Sequence, residues 1–232
     1  ESNPESIDAG DLCRLRALGF NRISFGMQSV VPHVLATLDR THSPGRPQQA
    51  VAEAKAAGFA NTSLDLIYGT PGETADDWSA SLDAALAAAP EHISAYALVV
   101  EDGTRLAAQV RRGVLPPTDD DDLSDKYVIA EQRLTAAGHT AYEVSNWSSQ
   151  VATRCRHNLG YWRSHHWWGI GPGAHSHVGG VRWWNVKHPQ TYASRLAARV
   201  SPAQAREVLS AEQRRVERIM LELRLVDGLS TS

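Results

Sequence analysis

The chain has 232 residues, 42% hydrophobic and 21% charged, with a formal net charge of -3. That balance belongs to a folded globular chain, long enough for one large domain or for one domain and part of another. It excludes a global basic field that would draw nucleic acid, and no apolar run reaches the ~18 residues of a membrane-spanning helix.

In chain order, Glu1-Ser2-Asn3-Pro4 is polar, lacks an initiator Met and does not resemble a signal peptide. Cys13 falls among Leu12, Leu15 and Leu18 in a helical pattern and is predicted to be a core residue. Three Ala-rich amphipathic stretches close on a glycine, at Ala17-Leu18-Gly19-Phe20, Ala56-Ala57-Gly58-Phe59 and Ala136-Ala137-Gly138-His139. A glycine after a helix takes the left-handed cap conformation cheaply. Strands are predicted next, at 22–26, 62–68 and 140–144. A fourth, 92–100, follows a helix over 75–89 that begins after Thr74 as N-cap and stops at Pro90. The acidic run Asp119-Asp120-Asp121-Asp122 precedes another apolar-periodic segment and reads as the favourably charged start of a helix.

Strands separated by helices predict βα units and a parallel sheet, either a barrel or an open doubly wound sheet. Polar residues gather where strands end: Gln28 and Ser29, Asp65, Glu101 and Asp102, Glu143. In parallel α/β barrels that edge carries the active site. No Gly-x-Gly-x-x-Gly follows a strand, which speaks against dinucleotide binding. Four strands are too few to close a barrel, so the chain is expected to be a piece cut at both ends. The predicted organisation is a partial barrel over 1–193 with a His/Trp-rich extension at 155–192, a linker at 194–209, and the start of a further helical domain at 210–232. A helix over 211–225 opens that last part. With two cysteines and no disulfide framework, a cytoplasmic location is expected, with peripheral membrane contact left open.

Asp65 interrupts an apolar strand, and a buried carboxylate must be paired or hydrogen-bonded. A structural Asp–Arg pair and a ligand contact both satisfy that demand. Residues 155–192 concentrate five of the seven tryptophans and six of the ten histidines. Imidazole is a common axial ligand of haem iron and aromatic rings offer flat apolar surface. The same composition also describes a packing seam with hydrogen-bonding histidines. The spacings match no standard zinc finger. An unrelated barrel enzyme using Asp65 or Glu143 as a base is a further possibility.

The strings decide more than the composition. Gly26-Met27-Gln28-Ser29, an Arg twelve residues after Gln28, and Asp65-Leu66-Ile67-Tyr68-Gly69-Thr70-Pro71 together resemble the coproporphyrinogen dehydrogenase and HemW branch of radical S-adenosylmethionine (SAM) proteins. Glu1-Ser2-Asn3-Pro4 looks like that branch's E-x-[ND]-P element. The resemblance covers nearly the whole chain and implies an α/β fold, a partial radical-SAM TIM-type barrel with parallel strands. An incomplete winged-helix-like C-terminal domain would follow it. It implies SAM contacts at Glu1, Gln28, Arg40 and Asp65. His157-Asn158-Leu159-Gly160-Tyr161-Trp162, followed by Gly169-Ile170-Gly171-Pro172-Gly173-Ala174-His175-Ser176, is similar to the HemW-type haem chaperones. By that likeness His157 is the leading haem-iron ligand, supported by Asn158 and Tyr161, with Cys155 as a possible thiolate and His175 as the next candidate. His165 and His166 are expected to be bystanders in a polar turn.

The branch also implies a [4Fe–4S] cluster on a C-x-x-x-C-x-x-C loop, which this chain does not contain; in the family that loop lies before the Glu1 position. The chain is therefore expected to hold no cluster and to leave SAM uncleaved. The implied function is haem binding for delivery to haem-accepting proteins, and the alternative is oxidative decarboxylation of coproporphyrinogen III. No nucleic-acid partner is expected, since the C-terminal stretch carries no basic recognition surface.

Overall fold

The computed structural model describes residues 1–229, which fall into two compact units, Glu1–Arg154 and the part from Cys155 onward. The first unit is built as α1 (Ala9–Ala17), β1 (Arg22–Gln28), α2 (Pro32–Thr37), α3 (Arg46–Ala56), β2 (Asn61–Tyr68), α4 (Ala75–Ala87), β3 (His92–Ala97), α5 (Arg105–Arg111), α6 (Asp120–Ala136), β4 (Thr140–Glu143) and β5 (Asn146–Ser148). Its sheet has the order β1-β2-β3-β5-β4. The first three strands are parallel, as the βα spacing requires, while short β5 runs antiparallel to both β3 and β4. The result is an open mixed sheet.

Local chemistry sets the boundaries. Thr74 and Asp77 form a reciprocal capping box at the start of α4, and Asp119 caps α6 by accepting from the amides of Asp121 and Asp122. Gly19, Gly58 and Gly138 all hold positive φ after their helices, the left-handed conformation predicted for them.

The strands alternate with a period of two, and this separates the faces of the sheet. Ile23, Phe25, Met27, Leu64, Leu66, Ile93, Ala95 and Trp147 are buried in one apolar core with side chains from α1, α3, α4 and α6. Burial of each large side chain contributes about 1.5–3 kcal/mol. Leu12 of α1 enters that core, but Cys13 lies exposed, against the sequence expectation. One step along a helix turns the side chain by about 100°, enough to leave a narrow buried stripe.

The second unit holds α7 (Arg156–Trp162), β6 (His175–Val178), β7 (Val181–Asn185), α8 (Pro189–Ala197), β8 (Ala203–Val208) and α9 (Ala211–Glu222). Its strands make an antiparallel sheet in the order β6-β7-β8. β6 and β7 meet through Gly179-Gly180, both at positive φ, the signature of a two-residue hairpin turn. The expected linker at 194–209 is instead the end of α8 and all of β8, which pairs with β7 from Asn185 to Val181. The compact division likewise falls after Arg154 rather than at 193. α9 ends at Glu222, and the last three residues of the predicted 210–232 segment lie outside the described residues. Among the described residues no helix is long and apolar enough to cross a membrane.

Candidate functional site

The sheet of the first unit turns a polar face away from its helices. One register row crosses all five strands as Gly26, Asp65, Ser94, Asn146 and Glu143. Asp65 sits within β2 rather than at its end, and its carboxylate accepts a hydrogen bond of 2.7 Å from the Ser24 hydroxyl. Burial is the main influence on this carboxyl and raises its pKa. Hydrogen bonds from Ser24 and Ser94 and the charge of Arg22 oppose the rise, while the nearby charge of Glu1 adds to it. Asp65 forms no ion pair among the described residues, so the structural Asp–Arg pair is not what holds it.

Gln28 is buried at the end of β1 with φ of 62°. Its amide folds back over Gly26, where an added Cβ would stand 2.8 Å from Gln28 Nε2. Gly26 is the register partner of Asp65, so Gln28 and Asp65 come together. Residues 1–3 reach the same place: Ser2 bridges Phe25 in parallel and donates its amide to the Ser24 carbonyl at 2.9 Å. Arg40 is exposed in the loop between α2 and α3, its backbone amide bonded to the Leu35 carbonyl, and among the described residues no contact joins its side chain to Gln28 or Asp65.

Deeper on the same face, His92 is fully enclosed. Ser63 Oγ meets its Nδ1 at 2.8 Å and Tyr142 Oη meets its Nε2 at 2.8 Å. Burial, reinforced by the charges of Arg22 and His139, pushes its pKa down to about 2, so the ring is neutral across physiological pH. Ser24, Ser94 and Asn146 had not been singled out from sequence. For the two serines the signal was the strict alternation of small polar with apolar residues in Arg22–Gln28 and His92–Ala97; Asn146 lies in the short β5, which carries no such pattern.

In the second unit His157 and Tyr161 lie exposed on α7, one turn apart, with His157 Nε2 hydrogen-bonded to Tyr161 Oη. Asn158 and Cys155 are half-buried. A run of rings continues from there: Tyr161 meets Trp167 edge-on at 4.8 Å, and Trp167 lies 4.9 Å from His177. His175 stacks on Trp184 at 5.8 Å. His165 and His166 are exposed, and the His166 ring accepts from the Gly179 amide.

The donor sets bear differently on the implied cofactors. A [4Fe–4S] cluster needs three thiolates from one loop; Cys13 and Cys155 lie in separate units, and no group of three or more His, Cys, Asp or Glu among the described residues could hold a metal ion. The residues present do not fit a cluster. The carboxylate, amide and hydroxyl lining of the sheet's polar face does fit a ligand with hydroxyl and ammonium groups.

Residues 1–85 match the radical SAM superfamily. The chain is 55% identical, over 99% of its length, to a Mycobacterium tuberculosis protein named heme chaperone HemW, and 32% identical, again over 99%, to the Bacillus subtilis protein of that name. It spans 58% and 60% of those two proteins. Among solved structures it superposes on Escherichia coli coproporphyrinogen III oxidase (HemN), a radical SAM enzyme, with a TM-score of 0.79 at 21% identity, over 96% of this chain and 54% of that one. That likeness speaks for the fold. The chain is thus a relative of the HemW haem chaperones, with a radical SAM superfamily segment at its front.

Proposed function

We propose that this chain carries the haem-binding surface and part of the SAM-binding surface of a cytoplasmic haem chaperone, which passes haem to acceptor proteins. The observation that carries the reading is the exposure of His157 beside Tyr161 at the head of the aromatic run. An exposed imidazole can meet the iron of an incoming haem without unfolding anything. In the free protein its Nε2 is held by the Tyr161 hydroxyl, so ligation through that atom exchanges a hydrogen bond for a metal bond. The exchange keeps the net affinity moderate, which suits a carrier that must also release. Asn158 and Cys155 sit within the same turn and shape the approach.

On the other unit, Asp65 and Gln28 would address the ribose hydroxyls and ammonium of SAM, Glu1 adding acidity and Arg40 reaching for the carboxylate. SAM's role there is to occupy and order that face.

Haem titration of His157→Ala, His165→Ala and His166→Ala tests the first part. The Soret change should be lost with His157→Ala and kept in the other two; equal titrations in all three would refute it. Delivery to an apo-acceptor protein, abolished by the same substitution, tests the carrier role. For the SAM surface, Asp65→Asn in the full-length protein should weaken SAM binding while raising stability. Burial makes the ionised Asp65 costly at neutral pH, so a neutral isostere relieves the fold. A variant with unchanged SAM affinity would remove Asp65 from the site.

A further inference from the structure

The sheet of the second unit separates two environments. Trp167, His177, Arg182 and Trp184 share one face, tied by the Trp167–His177 bridge and the ring contacts described above. Their neighbours in the chain, Trp168 and Trp183, point the opposite way and meet edge-on at 4.9 Å. On that second face, with Tyr192 and Leu196 of α8, they bound a cavity of ≈ 560 Å³. Cavities of this size hold ligands of cofactor dimensions.

The chemistry of the lining is narrow. Trp168 is 71% and Ile170 85% exposed, an unusual amount of apolar surface around one hollow. No His, Cys, Lys or acidic residue contributes to the wall. Most of its polar groups are already committed. Asn185 donates to the carbonyls of Gly169 and Gly171, the Tyr192 hydroxyl accepts from the Gly171 amide, and Ser201 accepts from the Ala203 amide. The exception with charge is Arg206, the register partner of Trp183, whose guanidinium has no hydrogen-bond or ion-pair partner among the described residues. Such a wall suits a broad, flat, apolar body that carries an anionic group at one edge, and it offers nothing to coordinate a metal.

The geometry points to a second tetrapyrrole site here, which grips the macrocycle by its apolar faces and one propionate carboxylate at Arg206 without ligating the iron. This rests on the reading that the chain handles haem, but the two sites are separate. His157 belongs with Tyr161 and Trp167 on the other face of the sheet, and one macrocycle cannot fill both. A site without an iron ligand takes metal-free porphyrin as readily as haem, whereas a site that depends on His157 does not.

That difference supplies the test. Metal-free protoporphyrin IX is titrated into the purified chain, following quenching of tryptophan emission and the porphyrin's own fluorescence. Arg206→Glu reverses the only charge in the lining and should weaken binding by about tenfold or more, the effect of losing a charge-assisted hydrogen bond. Ala203→Trp, at the register partner of the lining residue Asn185, should crowd the cavity from β8 and do the same, and His157→Ala should leave porphyrin binding unchanged. Circular dichroism checks that both cavity variants fold; Arg206 is exposed at the sheet surface, so that substitution decides if Ala203→Trp does not fold. Wild-type affinity in Arg206→Glu would overturn the proposal, as would failure of metal-free porphyrin to bind at all. Porphyrin binding that depends on Arg206 alongside a haem titration indifferent to His157 would keep the cavity and discard the His157 assignment.

Discussion

Replacing His92 by Gln should flatten the acid sensitivity of the first unit. The ring is buried between Ser63 and Tyr142, and its pKa falls from an ordinary 6.5 to about 2. Below pH 6.5 the unfolded chain takes up a proton there that the folded chain refuses until about pH 2. Stability is therefore complete above pH 6.5 and is lost as the pH falls. With about 1.4 kcal/mol per pH unit for one proton, the difference between pH 7 and pH 5 comes to about 2 kcal/mol from this single residue. Asp65 and Glu73, both raised by burial, act in the opposite sense, but they are common to both proteins and cancel in the comparison. Gln preserves a donor and an acceptor for Ser63 and Tyr142 while removing the titration. Urea unfolding followed by circular dichroism at both pH values should show the wild type losing about 2 kcal/mol more than His92→Gln. Equal losses would mean that the ring is protonated in the folded state or open to water.

Two further substitutions probe packing. Lys126→Met should cost about 3 kcal/mol in thermal or urea unfolding, because it strands the buried Glu73 carboxylate, and adding Glu73→Gln should recover part of the loss. A neutral effect of Lys126→Met would show that Glu73 is protonated. Gly169→Ala places a Cβ 2.1 Å from the His175 carbonyl oxygen, a backbone atom that cannot step aside. It should break the Trp167–His177 bridge and change the near-ultraviolet circular dichroism of the tryptophans while leaving the first unit's unfolding unaltered; an unchanged spectrum would count against that close approach.

Much of the first unit was legible because its signals are local. Thr74, Asp119 and the glycines after the helices act within one turn, and period-two alternation marks β1 to β3. β5 escaped notice because three residues, Asn146–Ser148, form a strand only by sitting between β3 and β4. β8 was missed for a related reason: Ala-Gln-Ala-Arg-Glu-Val has weak strand preference, and pairing with β7 overrides it. The Gly179-Gly180 turn was readable, flanked as it is by Val178 and Val181, but the density of Trp and His drew the reading toward ligands instead. At the site, the strand pattern put Gln28 at the end of β1 and Asp65 within neighbouring β2, whereas the exposed position of Arg40 depends on a loop whose path no local pattern fixes.

The alternation across β1, β2 and β3 has an evolutionary consequence. Core and lining residues occupy interleaved positions on the same strands but never the same surface. Exchanging Ser24, Ser94 or Asn146 for another small polar residue changes the hydrogen bonds of the polar face and leaves Phe25, Leu64 and Ile93 in their packing. Substitutions on opposite faces share few partners, so their energetic effects should largely add. A sheet of this kind can change its polar face while its apolar packing is inherited unchanged.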